Sequence, residues 1–178
     1  MAHVILDRLR RKFGDAILET HSQHGNDTAV VARERLVEIG EFLRDDRELC
    51  FEMPIDCTAV DWLGKREPRF EVIWHLYSVA KGHRVRLKVR VAEDDPTCPS
   101  LSGVWRGMNW HERETWDLYG IRFTGHPNLK RILMYEELVG HPLRKDYPID
   151  QRQPLIPMRK VRQVATQRHP PPTMLNKP

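Results

Sequence analysis

The chain has 178 residues and a mass of 21.0 kDa, with 40% hydrophobic and 30% charged residues. That balance fits one globular domain, or one domain plus an arm, with a heavily charged surface. The longest apolar runs stop far short of the roughly 20 residues a membrane-spanning helix needs, so membrane contact is expected only through a partner. Net charge is +4, but residues 151–178 hold six Arg and Lys and no Asp or Glu, which leaves residues 1–150 at −2. A nucleic-acid-binding domain concentrates positive charge on its folded face, so this distribution argues against that class.

The N-terminal stretch places Ile5, Leu9 and Phe13 at i, i+4 and i+8. It lacks an apolar h-region, so it reads as an amphipathic helix over 2–13 and not as a targeting peptide. Thr28–Ala32 is a short apolar run of strand character. A second amphipathic helix is predicted over about 33–44, with Leu36, Ile39 and Leu43 on one side. From Leu49 through Phe51, Met53, Ile55 and Cys57 to Ala59 the apolar residues alternate, which predicts a long strand. Pro54 inside it calls for a sheet edge or a bulge.

Asp61–Arg69, with Gly64 and Pro68, reads as a hairpin-like connection to a strand carrying Phe70, Val72, Trp74 and Leu76. After a turn at Lys81-Gly82, Val85, Leu87, Val89 and Val91 alternate with Arg84, Arg86, Lys88 and Arg90, one face aliphatic and the other basic. These three strands predict an antiparallel meander covered on its apolar face by the two helices, an α+β domain over residues 1–95. Glu93–Pro99 reads as a loop, and Ser100 as the cap of a short helix near 101–107. Asn109 with Glu112 resembles a capping box for a helix that Gly120 ends. From 151 onward the chain is basic, proline-rich and poor in apolar residues, an extended tail that does not fold alone.

Catalytic signatures are missing. His111-Glu112 begins like HExxH, but the fifth position is Thr115, and no CxxC occurs. Three cysteines cannot supply a four-cysteine cluster or a secreted disulfide framework. There is no GxGxxG, GxxxxGK[ST] or GxSxG. Glu112 and Glu114 fall about 200° apart around a helix, so they cannot serve one substrate as an acid–base pair. Arg113 and Asp117, at i and i+4, read as an ion pair. Two readings of this charged, aromatic segment stay open: a solvated ion-pair surface, or a cluster desolvated against another subunit.

The residues themselves resemble a known signature. "ERETWDLYGIRFTGHPNLKRIL" at 112–133 and "GHPLRKDYPI" at 140–149 closely resemble the thirty-kilodalton-type subunit family of respiratory complex I, the proton-pumping NADH:quinone oxidoreductase, in its stand-alone bacterial form (the C subunit). The resemblance implies a cofactor-free peripheral-arm subunit lying against the quinone-site subunit and near iron–sulfur subunits. FMN and iron–sulfur clusters are then expected in other subunits, and NADH and quinone are the substrates of the whole complex. It further implies a place on the cytoplasmic side of the inner membrane, with 96–150 as an interface segment and 151–178 as an arm docking on partners. The interface residues it implies are Glu112, Arg113, Glu114, Trp116, Asp117, Tyr119, Gly120, His126, Pro127, Arg131, His141, Arg144, Lys145 and Asp146. Two rivals remain: the same subunit type in a ferredoxin-dependent or nickel–iron hydrogenase complex, and a nucleic-acid-binding module using the Arg84/Arg86/Lys88/Arg90 face.

Overall fold

A computed structural model describes residues 4–156 of the protein. Helix α1 (Val4–Phe13) buries Ile5, Leu6, Leu9 and Phe13, and helix α2 (Leu36–Asp45) buries Leu36, Ile39 and Leu43. The helices lie side by side: Phe13 meets Phe42 edge to face, and Arg8 pairs with Asp46 at 2.9 Å. Under them is a five-stranded sheet of strands β1 (Ile17–His21), β2 (Asp27–Val31), β3 (Met53–Asp61), β4 (Phe70–Ser78) and β5 (His83–Val91). Val72, Trp74 and Leu76 from β4 and Val85, Leu87, Val89 and Val91 from β5 join the helical residues in one core. The alternation that forecast these strands is therefore what buries them.

The α+β class is the one the sequence forecast, but the sheet is mixed. Its order is β1-β2-β5-β4-β3, with β3-β4-β5 an antiparallel meander and β2 joined parallel to β5. Strand β1 carried no usable period, because a register shift between Ile17 and Glu19 leaves Leu18 turned to solvent. Both expectations from Pro54 are met: β3 is an edge strand, and its register shifts between Pro54 and Asp56.

The long strand expected from Leu49 begins instead at Met53. Leu49 and Phe51 are fully buried, but they lie in a turn that wraps the end of α2, with Cys50 N–H on Asp46 O at 2.8 Å and Phe51 N–H on Leu43 O at 2.9 Å. Alternating burial arose there from a turn, which the pattern could not tell from a strand. Half of the basic face of β5 is offset inside the chain, since Lys88 reaches Glu71 at 2.9 Å and Arg90 reaches Glu19, while Arg84 lies over the Tyr77 ring.

Beyond residue 95 the chain adds strand β6 (Thr97–Pro99), helix α3 (Met108–Tyr119) and strand β7 (Arg122–Thr124). The segment expected as a loop thus contains β6, which pairs parallel with β7. The stretch 101–107 is a run of turns and not a helix, although Leu101, Trp105 and Met108 enter the same core as the sheet. Of the arm expected over 151–178, residues 151–156 are described, outside helix and strand. The rest of that expectation lies outside the described residues.

Candidate interface built by the signature segment

Helix α3 is held on two sides. Toward the sheet edge, Thr115 Oγ1 donates to Cys57 O at 2.8 Å, occupying a carbonyl of β3. Glu112, fully buried beside it, does not cap its own helix. The position before α3 is Gly107 with no side-chain cap, and the Glu112 carboxylate instead accepts from Leu101 N–H at 2.6 Å and from Ser100 Oγ. Burial pushes the Glu112 carboxyl up to about 7 against the opposing pull of those two donors. Buried Cys57 and Cys98 are raised by burial and, secondarily, by Glu112, so neither is a ready thiolate.

The opposite side of α3 carries the irregular segment 125–147. The expected pair Arg113–Asp117 does not form. Arg113 donates to the carbonyls of Lys130 and Arg131 at 3.0 and 2.9 Å. Asp117, fully buried, takes Arg131 Nη1 on Oδ1 at 2.6 Å. Its Oδ2 accepts the consecutive N–H groups of Ile132, Leu133 and Met134 at 3.1, 2.9 and 2.8 Å. Burial alone would raise the Asp117 carboxyl, but these donors together hold it below the usual range. Arg131 closes the arrangement by donating to Leu138 O and Gly140 O.

Gly120 ends α3 at φ +77°, as the sequence forecast, and it also makes room for the return of the loop. A Cβ there would lie 2.5 Å from the His141 ring and 2.8 Å from Arg144. His141 Nδ1 meets Asp117 O at 2.9 Å and so carries the proton, and Arg144 Nε donates to Tyr119 O at 2.6 Å. His126 Nε2 likewise meets Asn109 O at 3.0 Å.

A second hub ties the loop to the sheet, and its central residues escaped the sequence reading. Arg69, 1% exposed, reaches Asp61 at 2.7 Å, Glu93 at 2.6 Å and Asp146 at 2.8 Å. Asp61 also accepts Leu63 N–H and Lys145 N–H. Burial works to raise the Asp61 carboxyl, yet Arg69 and the two N–H groups prevail and hold it at about 2. The available signal was weak: opposite charges at the two ends of a predicted hairpin connection.

The implied interface residues therefore divide. Glu112, Asp117 and Gly120 face inward, and Arg113, Arg131, His141, Arg144 and Asp146 fix the loop. Trp116 and Tyr119 are half-buried, Trp116 between His141 and Arg131. Pro127 and Lys145 are exposed, and Glu114 joins no part of either hub. Outward from this scaffold point Leu133, Val139 and Leu143, with Trp110 from α3. Among the described residues no three His, Cys, Asp or Glu side chains converge as a metal site would require.

The family described as respiratory-chain NADH dehydrogenase, 30 Kd subunit, matches residues 29–153. The chain is similar to the C subunit of NADH-quinone oxidoreductase from Roseiflexus sp. (strain RS-1), at 52% identity over 82% of this chain and 83% of that protein. It is also similar to the C subunit of the same enzyme from Geobacter sulfurreducens, at 47% identity over 80% and 86% of the two chains. A solved structure described as Nqo5 of the trypsin-resistant fragment (1-134) superposes with a TM-score of 0.60 at 30% identity, over 71% of this chain and all of that one.

Proposed function

The chain belongs to the 30 Kd subunit family of respiratory-chain NADH dehydrogenase, and from that membership we propose that it is a cofactor-free docking subunit of an NADH:quinone oxidoreductase. In this reading it holds the quinone-site subunit and the iron–sulfur subunits in register, while FMN and the clusters belong to those neighbours. It sits peripherally, on the cytoplasmic side of the inner membrane. No described helix is long and apolar enough to cross a bilayer.

The observation that carries the proposal is how the signature's ionisable residues are used. Asp117, Arg131, Arg113 and Arg144 direct their hydrogen bonds at the backbone of α3 and the loop, fixing an irregular segment. That segment turns Leu133, Val139 and Leu143 to the outside, 56%, 61% and 47% exposed. Charges that order a backbone and leave apolar side chains on its outer surface suit recognition of a partner. A pre-ordered loop loses little entropy when it docks, and exposed apolar groups gain from being covered.

Recovery of the tagged chain from detergent-solubilised membranes, with mass spectrometry of its partners and an NADH:quinone assay, tests this. Flavin-bearing, iron–sulfur and membrane subunits with quinone-dependent NADH oxidation are expected. A hydrogenase or ferredoxin-linked set would keep the docking role and change the electron donor. Recovery of the chain alone, or with nucleic acid, overturns the proposal.

A further inference from the structure

The tip of the signature loop, around Val139, is held from two sides. From within, Arg131 donates to Leu138 O and Gly140 O. Between those carbonyls lie the N–H and C=O of Val139, and a side chain near the end of the described chain takes both. Gln153 Oε1 accepts Val139 N–H at 3.1 Å, and Gln153 Nε2 donates to Val139 O at 3.3 Å. The other Nε2 hydrogen goes to the Tyr147 hydroxyl oxygen. The carboxamide therefore pairs with Val139 as an opposing strand residue would, exchanging one donor and one acceptor with its backbone.

This grip is anchored in the rigid part of the fold. Tyr147 N–H donates to Arg144 O at 3.1 Å, while Lys145 N–H and the Asp146 carboxylate are bound to Asp61 and Arg69 at 2.8 Å each. A Cβ on Gly140, at φ +91°, would stand 3.0 Å from the Tyr147 ring, so glycine lets ring and loop tip close together. One residue past Gln153, the Tyr135 hydroxyl donates to Pro154 O at 3.4 Å. Residues 151–156, which belong to no helix or strand, thus cross the loop tip as a strap. The Val139 side chain stays outward, 61% exposed, and Leu155 on the strap is 98% exposed. We propose that Gln153 is a positioning residue, whose carboxamide latches residues 151–156 onto the loop tip and so fixes where the chain leaves the domain on its docking face. The proposal rests on the docking role above and names a residue that prepares it. A strap ordered in advance reduces the entropy lost when the outer surface is covered.

Amide hydrogen exchange of the full-length chain, read by NMR, is the first half of the test. Wild type is compared with Gln153→Ala and with Gln153→Asn, whose carboxamide stops one methylene short. Val139 N–H should exchange about tenfold faster in both variants, the loss expected of one or two net hydrogen bonds. Amides of β4 and β5 and the melting temperature should match wild type. The second half is recovery of each chain in the assembled complex, where both variants should be retained roughly threefold less. A Val139 amide that exchanges as fast in wild type as in the variants overturns the latch. Faster exchange in variants retained at the wild-type level overturns the positioning role and leaves the docking role standing. A wild-type chain recovered without partners overturns both roles, even where its Val139 amide is slow.

Discussion

Asp117 and Arg131 are separated by 14 positions in sequence and meet at 2.6 Å, the carboxylate wholly buried and the guanidinium largely so. The pair closes the signature loop onto α3, and the second carboxylate oxygen gathers three loop N–H groups. Removing one partner of such a pair leaves the other buried and unpaired. Asp117→Ala is therefore expected to lower unfolding free energy by about 3–5 kcal/mol. Asp117→Asn keeps one acceptor oxygen and should cost less. Urea titration of the isolated chain checks the order, and equal losses for the two variants would contradict it.

Arg69 bridges three carboxylates that come from different parts of the chain. A lysine carries the charge but not the fork, so Arg69→Lys should lose most of this bridging. Arg69→Met, which leaves Asp61 buried without its cation, should cost about 3–5 kcal/mol. Thermal melts of both variants, with wild type alongside, give the comparison. A Met variant as stable as wild type would mean that the hub is not needed for folding.

Asp61 also sets an acid limit. Its folded value of about 2 lies below that of an unfolded aspartate, so its contribution is fully present above pH ~4 and is lost as pH falls toward 2. The full loss in wild type should be about 2–3 kcal/mol, at roughly 1.4 kcal/mol per tenfold change in proton affinity. Denaturant midpoints between pH 5 and pH 2.5 should fall more steeply for wild type than for Asp61→Asn.

Glu112 predicts the opposite slope near neutrality. Its folded value, raised to about 7, exceeds that of an unfolded glutamate. Between pH ~4.5 and pH ~7 the unfolded chain has released this proton while the folded chain retains it, so stability falls with rising pH by about 1–3 kcal/mol and then levels. Glu112→Gln should flatten that fall. An unchanged pH profile in the variant would assign the slope to other groups.

Gly120 is constrained twice, by φ +77° and by the His141 ring, which stands where a Cβ would be. Gly120→Ala should cost more than the ~1 kcal/mol of a strained backbone alone, because His141 must also leave Asp117 O. Loss of the His141 Nδ1–H signal from its hydrogen-bonded position in NMR spectra would show that displacement.

The legible parts of the fold were those with uninterrupted local periodicity. Strands β4 and β5 and helices α1 and α2 each place an apolar stripe on one face, and each buries that stripe. The end of α3 was legible because glycine is the residue that tolerates φ +77° there. Strand β1 was hidden by its register shift, and β6 by its length of three residues and its terminal Pro99. Leu49 and Phe51 show the converse error, in which a turn around a helix end buried alternate residues as a strand does.

The candidate site divides along the same line. A local order of residues sufficed to mark 112–149 as a signature and to assign its family, since recognising a linear pattern needs no knowledge of what touches what. The partners of its charges could not be read in this way. Arg113 and Asp117 stand at the right spacing for a helical pair, yet a surface pair of that kind is worth only ~0.3–0.5 kcal/mol. Burying Asp117 against Arg131 and three N–H groups satisfies a full set of acceptor positions instead. Which of the two prevailed depended on the loop folding back across α3. That return is fixed by Asp61, Arg69 and Asp146, the last two lying 77 positions apart. The sequence by itself determined the layers and the family. The tertiary structure decided where each buried charge finds its partner, because that choice is set by desolvation and by contacts between segments distant in the chain.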